Sequence, residues 1–338
     1  FRNDEIDERA LRELVEFQID AGIDGLVPSG TTGESATMTE REHAFVIETV
    51  IDQVAGRVPV IAGTGSNSTR ITIERTQHAR HAGATAALVV VPYYNKPAQE
   101  GLIAHYTAIA ETTDLPLVLY NVPGRTGITM SGQTTVALSR IPTIAAIKEA
   151  AGSLDLVTEI VNETREDFVV LSGDDSLTLP MISVGARGVI SVLSNILPAQ
   201  VARLTRLANA GQFTEARHEH LRLFEVMRAM FTGNNPTAVK SAAELLGLCS
   251  GDVRLPLLLV SLAVNSAFSQ APQVTGVSPQ RQILNAPRST QITATFNTAI
   301  DPASVSNLTF RVFGRQSGVI PGSLQLQNGN TQIVFTPA

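Results

Sequence analysis

Through residues 1–258, short unbroken apolar runs alternate with amphipathic stretches, and this alternation constrains the fold more than any other feature. Seven runs read as strands: Asp24–Gly30, Pro59–Gly65, Ala86–Tyr94, Pro116–Pro123, Ile144–Ala150, Asp167–Asp175 and Gly188–Asn195. They are continuous rather than alternating, as strands covered on both faces are. Between them lie helical stretches such as Thr39–Val54 and Gln99–Thr112, and Thr39 with Glu42 has the capping-box spacing. The chain opens on a helix, Glu5–Ala21, and continues after the last strand with Ala199–Ala210, Phe213–Phe231 and Pro236–Leu246, which Gly247 stops. Repeated βα units predict a parallel α/β fold. A (β/α)8 TIM barrel with a C-terminal helical extension fits better than an open doubly wound sheet. Gly63 and Gly65 are a weak nucleotide signal, since no G-x-G-x-x-G or P-loop occurs. Only seven barrel strands are visible, so the first is expected upstream of Phe1 and is missing here. A barrel lacking one strand has two unpaired edges, which invite pairing with other strands.

Composition divides the chain. All three lysines and nearly all acids fall in residues 1–258, whereas from Pro272 onward Gln, Asn, Thr and Ser dominate and Asp301 is the only acid. Such a shift marks a domain boundary. Strands are expected at Gln291–Phe296, Leu308–Val312, Leu324–Gln327 and Gln332–Phe335, with a turn at Gly329, giving a small all-β sandwich. The stretch LPLLLVSLAVNSAFSQAP resembles a secretion signal but lies inside the chain, where it reads as a buried tail plus linker. The expected domains are 1–258, a linker at 259–272, and 273–338. A net charge of −6 without a basic run argues against a nucleic-acid partner. The single cysteine, Cys249, excludes an internal disulfide framework and a thiolate zinc site. No run reaches the ~18 apolar residues of a membrane span. Neither a signal peptide at the start of the chain nor a membrane partner is expected.

Lys148 carries the functional argument, because it follows Ile144–Ile147 in an expected inner strand. Burying an ammonium lowers its pKa, and a neutral amine can attack a carbonyl to form a Schiff base. Alternatively, the lysine could simply pair with Glu149 or Asp174. Barrel active sites gather at the C-terminal strand ends. There stand Thr31, Thr32, Tyr93, Tyr94, Tyr120, Gly173 with Asp174, and Ile190. Hydroxyls of Thr and Tyr relay protons without adding charge. Arg125 can hold a carboxylate bidentately. The Gly-Thr-Thr-Gly turn offers N–H groups to a second carboxylate. Together these suit imine chemistry on an anionic keto acid. The six histidines lie mostly on expected helices and none ends a strand, so neither a metal nor any other cofactor is expected.

The segments GTTGES (Gly30–Ser35), VPYYNKP (Val91–Pro97), YNVPGRTG (Tyr120–Gly127), IKEA (Ile147–Ala150), SGDD (Ser172–Asp175) and GVISV (Gly188–Val192) resemble the dihydrodipicolinate synthase family of the N-acetylneuraminate lyase superfamily. The likeness runs over roughly residues 1–258. It implies condensation of pyruvate with L-aspartate-4-semialdehyde to 4-hydroxy-tetrahydrodipicolinate, toward lysine and diaminopimelate, in a cytoplasmic homodimer or homotetramer. Lys148 would form the imine and Tyr120 would move protons. Thr31 would link Tyr120 to Tyr94 of a partner subunit. Thr32, Ile190 and Gly173 would line the pyruvate subsite, and Arg125 would bind the aldehyde's carboxylate. The complete YNVPxRTG pattern favours this reaction over a sialic acid or 2-keto-3-deoxy sugar acid aldolase. A reading from another class is a non-catalytic surface or spacer protein with a damaged barrel. The effector pocket of lysine-inhibited members maps near Glu40, His43, Asn67, Ile71 and Tyr93. Glu40 and Ile71 depart from it, which implies weak or absent lysine inhibition. The family's final helix is not recognisable after Ser261. Beyond it, VTGVSPQ, TATFNTAIDPASV and IVFTPA resemble a bacterial Ig-like domain of exported, surface-layer type. A biosynthetic barrel joined to such a module across a signal-like stretch suggests a joined reading frame.

Overall fold

The computed structural model describes residues 1–258 together with 274–278, 292–296, 313–314, 318–319, 322–328 and 332–337. Clustering of contacts divides the chain into two compact units, Phe1–Val260 and Ser261–Ala338.

In the first unit six of the expected strands form one parallel sheet in chain order: β1 (Ile61–Gly63), β2 (Ala86–Val90), β3 (Leu117–Asn121), β4 (Ile144–Glu149), β5 (Val169–Ser172) and β6 (Gly188–Val189). The seventh, expected at Asp24–Gly30, shrinks to one parallel bridge between Leu26 and Val60. Pro28 has no N–H to donate, and Ser29 takes a φ of 56°, which ends the extended backbone. The last strand is also shorter than expected, and a 3-10 turn at Leu193–Asn195 replaces its second half.

Helices α1 (Glu8–Asp20), α2 (Glu40–Val54), α3 (Thr69–Ala82), α4 (Gln99–Ala110), α5 (Pro123–Thr126), α6 (Gly132–Ser139), α7 (Leu154–Glu163) and α8 (Thr178–Ser183) precede or connect these strands. The expected capping box opens α2: Thr39 and Glu42 each bond the other's backbone N–H. Ser68, Ser131 and Ser153 cap α3, α6 and α7 in the same way, each accepting from an N–H three residues on. Helices α9 (Pro198–Asn209), α10 (Phe213–Ala229) and α11 (Thr237–Leu245) form the C-terminal layer. Val201, Leu204, Leu223, Met227 and Val239 pack there around Leu193. Gly247 ends this layer with a φ of 72°.

Strand periodicity sorts the sheet's side chains into two layers. Ala87, Val89, Leu117, Leu119 and Ile147 pack outward under the helices. Leu88, Val118, Tyr120 and Ala146 pack inward. Position 148 follows 146 by two residues, so it shares the inward face, and in register it lies directly across from Tyr120.

The second unit contains a four-stranded antiparallel sheet in the order β11-β12-β8-β7, from β7 (Val274–Ser278), β8 (Ile292–Phe296), β11 (Gly322–Gln327) and β12 (Gln332–Pro337). A separate antiparallel pair joins β9 (Phe313–Gly314) to β10 (Gly318–Val319). The hairpin between β11 and β12 is present, with Gln327 opposite Gln332, and β12 buries Ile333, Val334 and Phe335. The expected strand at Leu308–Val312, the turn residue Gly329 and the linker at 259–272 lie outside the described residues.

Candidate active site

Lys148 stands on the inward face of β4 and is only 8 % exposed. Its Nζ lies 4.2 Å from the centroid of the Tyr120 ring, so the amine rests against a π face rather than against an anion. Loss of water pushes its pKa down to about 8; the charge of Asp175 opposes that shift and the charge of Arg125 adds to it. The alternative of a structural ion pair with Glu149 or Asp174 is not what forms. The Glu149 carboxylate accepts from Asn121 Nδ2 at 2.9 Å and from the Ala151 N–H at 2.6 Å. Asp174 instead accepts from the Ser176 N–H at 2.9 Å. Burial lifts Glu149 to about 7.

The lysine stem needs the glycine that follows β5. A Cβ on residue 173 would lie 2.7 Å from the Ala150 Cβ and 3.1 Å from the Lys148 Cε. Gly173 therefore supplies room for the lysine, and any side chain would displace it.

Burial pushes the Tyr120 phenol up, while a hydrogen bond with the Thr31 side chain and the Arg125 charge pull it back. The structure thus brings Thr31, Tyr120, Arg125 and Lys148 into one electrostatic neighbourhood, as expected. Arg125 comes from the short helix α5, where Pro123 sits in the first turn. Its Nη2 donates to the Asn235 carbonyl at 3.4 Å. The Asn235 side chain in turn donates to Thr32 Oγ1 at 3.0 Å. Ile190 is held from its backbone, its N–H donating to the Ser172 carbonyl at 2.9 Å.

Tyr94 stands apart. Its side chain is 89 % exposed and its φ is 71°, a strained value for a tyrosine. Among the described residues it is not part of the Lys148–Tyr120–Thr31 cluster.

Three groups in this site were not anticipated. Asn235 links Thr32 to Arg125 from a loop more than a hundred residues beyond either. The Asn-Asn-Pro run before α11 marks a turn, and that was its only local signal. Asp175 is buried, and its carboxylate accepts from the Val192 and Leu193 N–H groups at 2.9 and 3.0 Å and from Ser191. It pins the chain just after Ile190 and shortens the last strand. Glu34, buried in the turn after Thr31–Thr32, pairs with Lys240 and accepts from the Arg254 N–H at 3.1 Å. Arg254 also bonds Glu42 at 2.9 Å.

Among the described residues no group of three or more His, Cys, Asp and Glu is arranged to hold a metal. No described helix is long and apolar enough to cross a membrane. A parallel barrel whose inner face carries a desolvated strand lysine beside a tyrosine belongs to the Schiff-base lyases. More narrowly, the chain belongs to the dihydrodipicolinate synthetase family, whose model matches residues 1–273. A bacterial Ig-like domain matches residues 269–338. The chain is 54 % identical over 257 residues to the 4-hydroxy-tetrahydrodipicolinate synthase of Geotalea uraniireducens strain Rf4, covering 76 % of this chain and 89 % of that protein. The crystal structure of dihydrodipicolinate synthase from Aquifex aeolicus is 45 % identical with a TM-score of 0.78, covering 80 % of this chain and 92 % of that one. A 39 % identical structure, described as the first monomeric dihydrodipicolinate synthase variant, has a TM-score of 0.78 and covers 80 % of this chain and 91 % of its own.

Proposed function

We propose that the barrel condenses pyruvate with L-aspartate-4-semialdehyde through an imine on Lys148, giving 4-hydroxy-tetrahydrodipicolinate. The observation that carries this reading is the desolvated Lys148 amine against the Tyr120 ring. The neutral amine adds to the keto carbon of pyruvate, a C–N bond forms, and the carbonyl oxygen leaves as water. Tyr120 donates the proton that this departure needs and then removes one from the pyruvate methyl, giving an enamine. The enamine carbon attacks the aldehyde, and the second substrate's own amine displaces Lys148 to close the ring.

Thr32, Ile190 and Gly173 are assigned to the pyruvate subsite and Arg125 to the aldehyde's carboxylate. Asn235 supports both subsites, because its side chain meets Thr32 and its carbonyl meets Arg125. Tyr94 is assigned to the site of a second copy. Its exposure and strained backbone suit a residue handed across an interface, and the expected assembly is a homodimer or homotetramer. The monomeric relative marks assembly as a property that varies within the family. Residues 1–258 form the catalytic domain, 259–272 the linker and 273–338 an Ig-like module of exported type, while the barrel chemistry is that of the cytoplasm.

Incubation with pyruvate and borohydride, followed by peptide mass mapping, tests the reading. A reduced adduct on Lys148 is expected. A folded sample without one would refute it. Assaying aspartate semialdehyde beside sialic acid and 2-keto-3-deoxy sugar acids separates this reaction from its aldolase relatives.

A further inference from the structure

The Tyr120–Lys148 pair on the inner face of β3 and β4 has a counterpart on the outer face. The next register pair along the same two strands is Asn121 opposite Glu149, and both side chains are buried. Strand alternation turns them away from the barrel interior, into the layer under the helices. There Asn121 Oδ1 accepts from the Met130 N–H at 3.0 Å. Its Nδ2 donates to Glu149 Oε2 at 2.9 Å and to the Met130 carbonyl at 3.3 Å. One orientation of the amide satisfies all three groups, because the Met130 N–H needs an acceptor and Glu149 needs a donor. The other oxygen of Glu149 accepts from the Ala151 N–H at 2.6 Å, which fixes the carboxylate.

Met130 ends the loop that carries Arg125. By meeting both its N–H and its carbonyl, the Asn121 amide imitates a paired strand and closes the loop from 121 to 130. Within that loop Gly124, Arg125, Gly127 and Thr129 are exposed, while Val122, Thr126 and Met130 are buried. Thr126 Oγ1 bonds the Val122 and Ile128 carbonyls at 3.2 and 2.9 Å, which stiffens the loop from within. Gln99, at the start of α4, holds its far end. Gln99 Nε2 donates to the Thr129 carbonyl at 2.9 Å, and its Oε1 accepts from the Ser131 N–H at 3.0 Å. The bond from Arg125 to the Asn235 carbonyl is long, at 3.4 Å, so the guanidinium takes its place from the loop beneath it. We infer that Asn121, oriented by Glu149 and assisted by Gln99, is a positioning residue for the second substrate: it sets where Arg125 stands and touches neither substrate itself. This rests on the assignment of Arg125 to the aldehyde's carboxylate. A misplacement of about 1 Å in a binding group can cost about 100-fold in rate. Pyruvate capture draws on Lys148, Tyr120 and Thr31 instead, and should be spared.

The test compares the parent protein with Asn121→Ala, Arg125→Ala and the double variant. Pyruvate capture is read by borohydride trapping on Lys148 at about pH 9, above the lysine's pKa of about 8. Use of aspartate semialdehyde is read by steady-state kinetics at saturating pyruvate. Asn121→Ala should raise KM for the aldehyde by about 10- to 100-fold while the half-saturating pyruvate concentration for trapping moves less than about threefold. In the Arg125→Ala background the same substitution should cost less than about threefold more, because the residue it positions is already gone. Equal losses toward both substrates, or losses that multiply in the double variant, would mean a general structural role and overturn the inference. If Asn121→Ala does not fold, Gln99→Ala, which frees the far end of the same loop from a half-buried position, decides by the same split. A parent protein that forms no pyruvate adduct would overturn the reading of the reaction itself. A parent adduct without a split between the substrates would overturn this inference alone.

Discussion

Replacing Lys148 by methionine should make the protein more stable while destroying its chemistry. The lysine is buried with no anion paired to it among the described residues, and its pKa is lowered to about 8 from the usual 10.5. Below pH 8 the group is protonated in both the folded and unfolded chain, and the fold bears the whole cost of burying the charge. That cost is about 3 kcal/mol from the displacement of the pKa. Between pH 8 and 10.5 the folded protein has released the proton and the unfolded chain has not, so the cost fades. Above that window both are neutral and it is gone. Lys148→Met should therefore gain up to about 3 kcal/mol at pH 7, an advantage that holds down to lower pH and disappears by about pH 10.5. Urea unfolding of both proteins across this range, followed by near-ultraviolet dichroism of the barrel, measures it. The same depression leaves on the order of 300-fold more neutral amine at pH 7 than an ordinary lysine has. Equal stability of the two proteins at pH 7, or an advantage that persists unchanged through pH 10.5, would refute the claim that the amine is held desolvated.

Arg125→Ala should still allow borohydride trapping of pyruvate, with its acid limb moved to higher pH because a charge that lowers the Lys148 pKa is lost, and should lower kcat/KM for aspartate semialdehyde by about 10- to 100-fold, the worth of a hydrogen bond to a charged group. Steady-state kinetics with each substrate varied in turn would show it, and equal losses for both would contradict the assignment. Asp175→Asn removes a negative charge that raises the Lys148 pKa, so the acid limb of the pH profile for pyruvate trapping should move to lower pH. It should also raise KM for pyruvate, because the chain after Ile190 loses its clamp. An unmoved acid limb would count against Asp175 as a neighbour of the lysine. L-Lysine at millimolar concentration should not reach half-inhibition. The Glu40 carboxylate is held by Arg75 at 2.9 and 2.6 Å, and His43, neutral with its pKa lowered to about 4 by burial, is bonded to the Gly63 carbonyl at 2.8 Å. A normal inhibition curve would refute this.

The barrel was legible because a strand covered on both faces writes itself as an unbroken apolar run, and six of seven such runs formed strands. Strand ends were less legible. The Asp24 run carries enough apolar residues, yet Pro28 and Ser29 end its pairing after a single bridge. Lys148 could be read from its own neighbours, since a cation after four apolar residues conflicts with its surroundings. The groups that hold the site could not be read in this way. Asp175 was visible only as part of SGDD, and Asn235 as part of a turn. Each works through contacts that bridge distant parts of the sequence, and local pattern does not encode those. Tyr94 shows the opposite case: its motif was recognisable, but its partner atoms are not on its own subunit under the assignment given above.

The buried Glu34 strut has a consequence for the order in which the molecule is completed. The turn bearing Thr31 and Thr32 is emitted early, but the groups that anchor it, Lys240 and Arg254, come more than two hundred positions later. A nascent polypeptide that has passed Lys148 already holds Tyr120, Arg125 and Lys148 itself. It still lacks the brace that fixes the threonine loop. The threonine loop should therefore be braced only once residue 254 has left the ribosome, and release at any earlier length should leave that loop without its anchor.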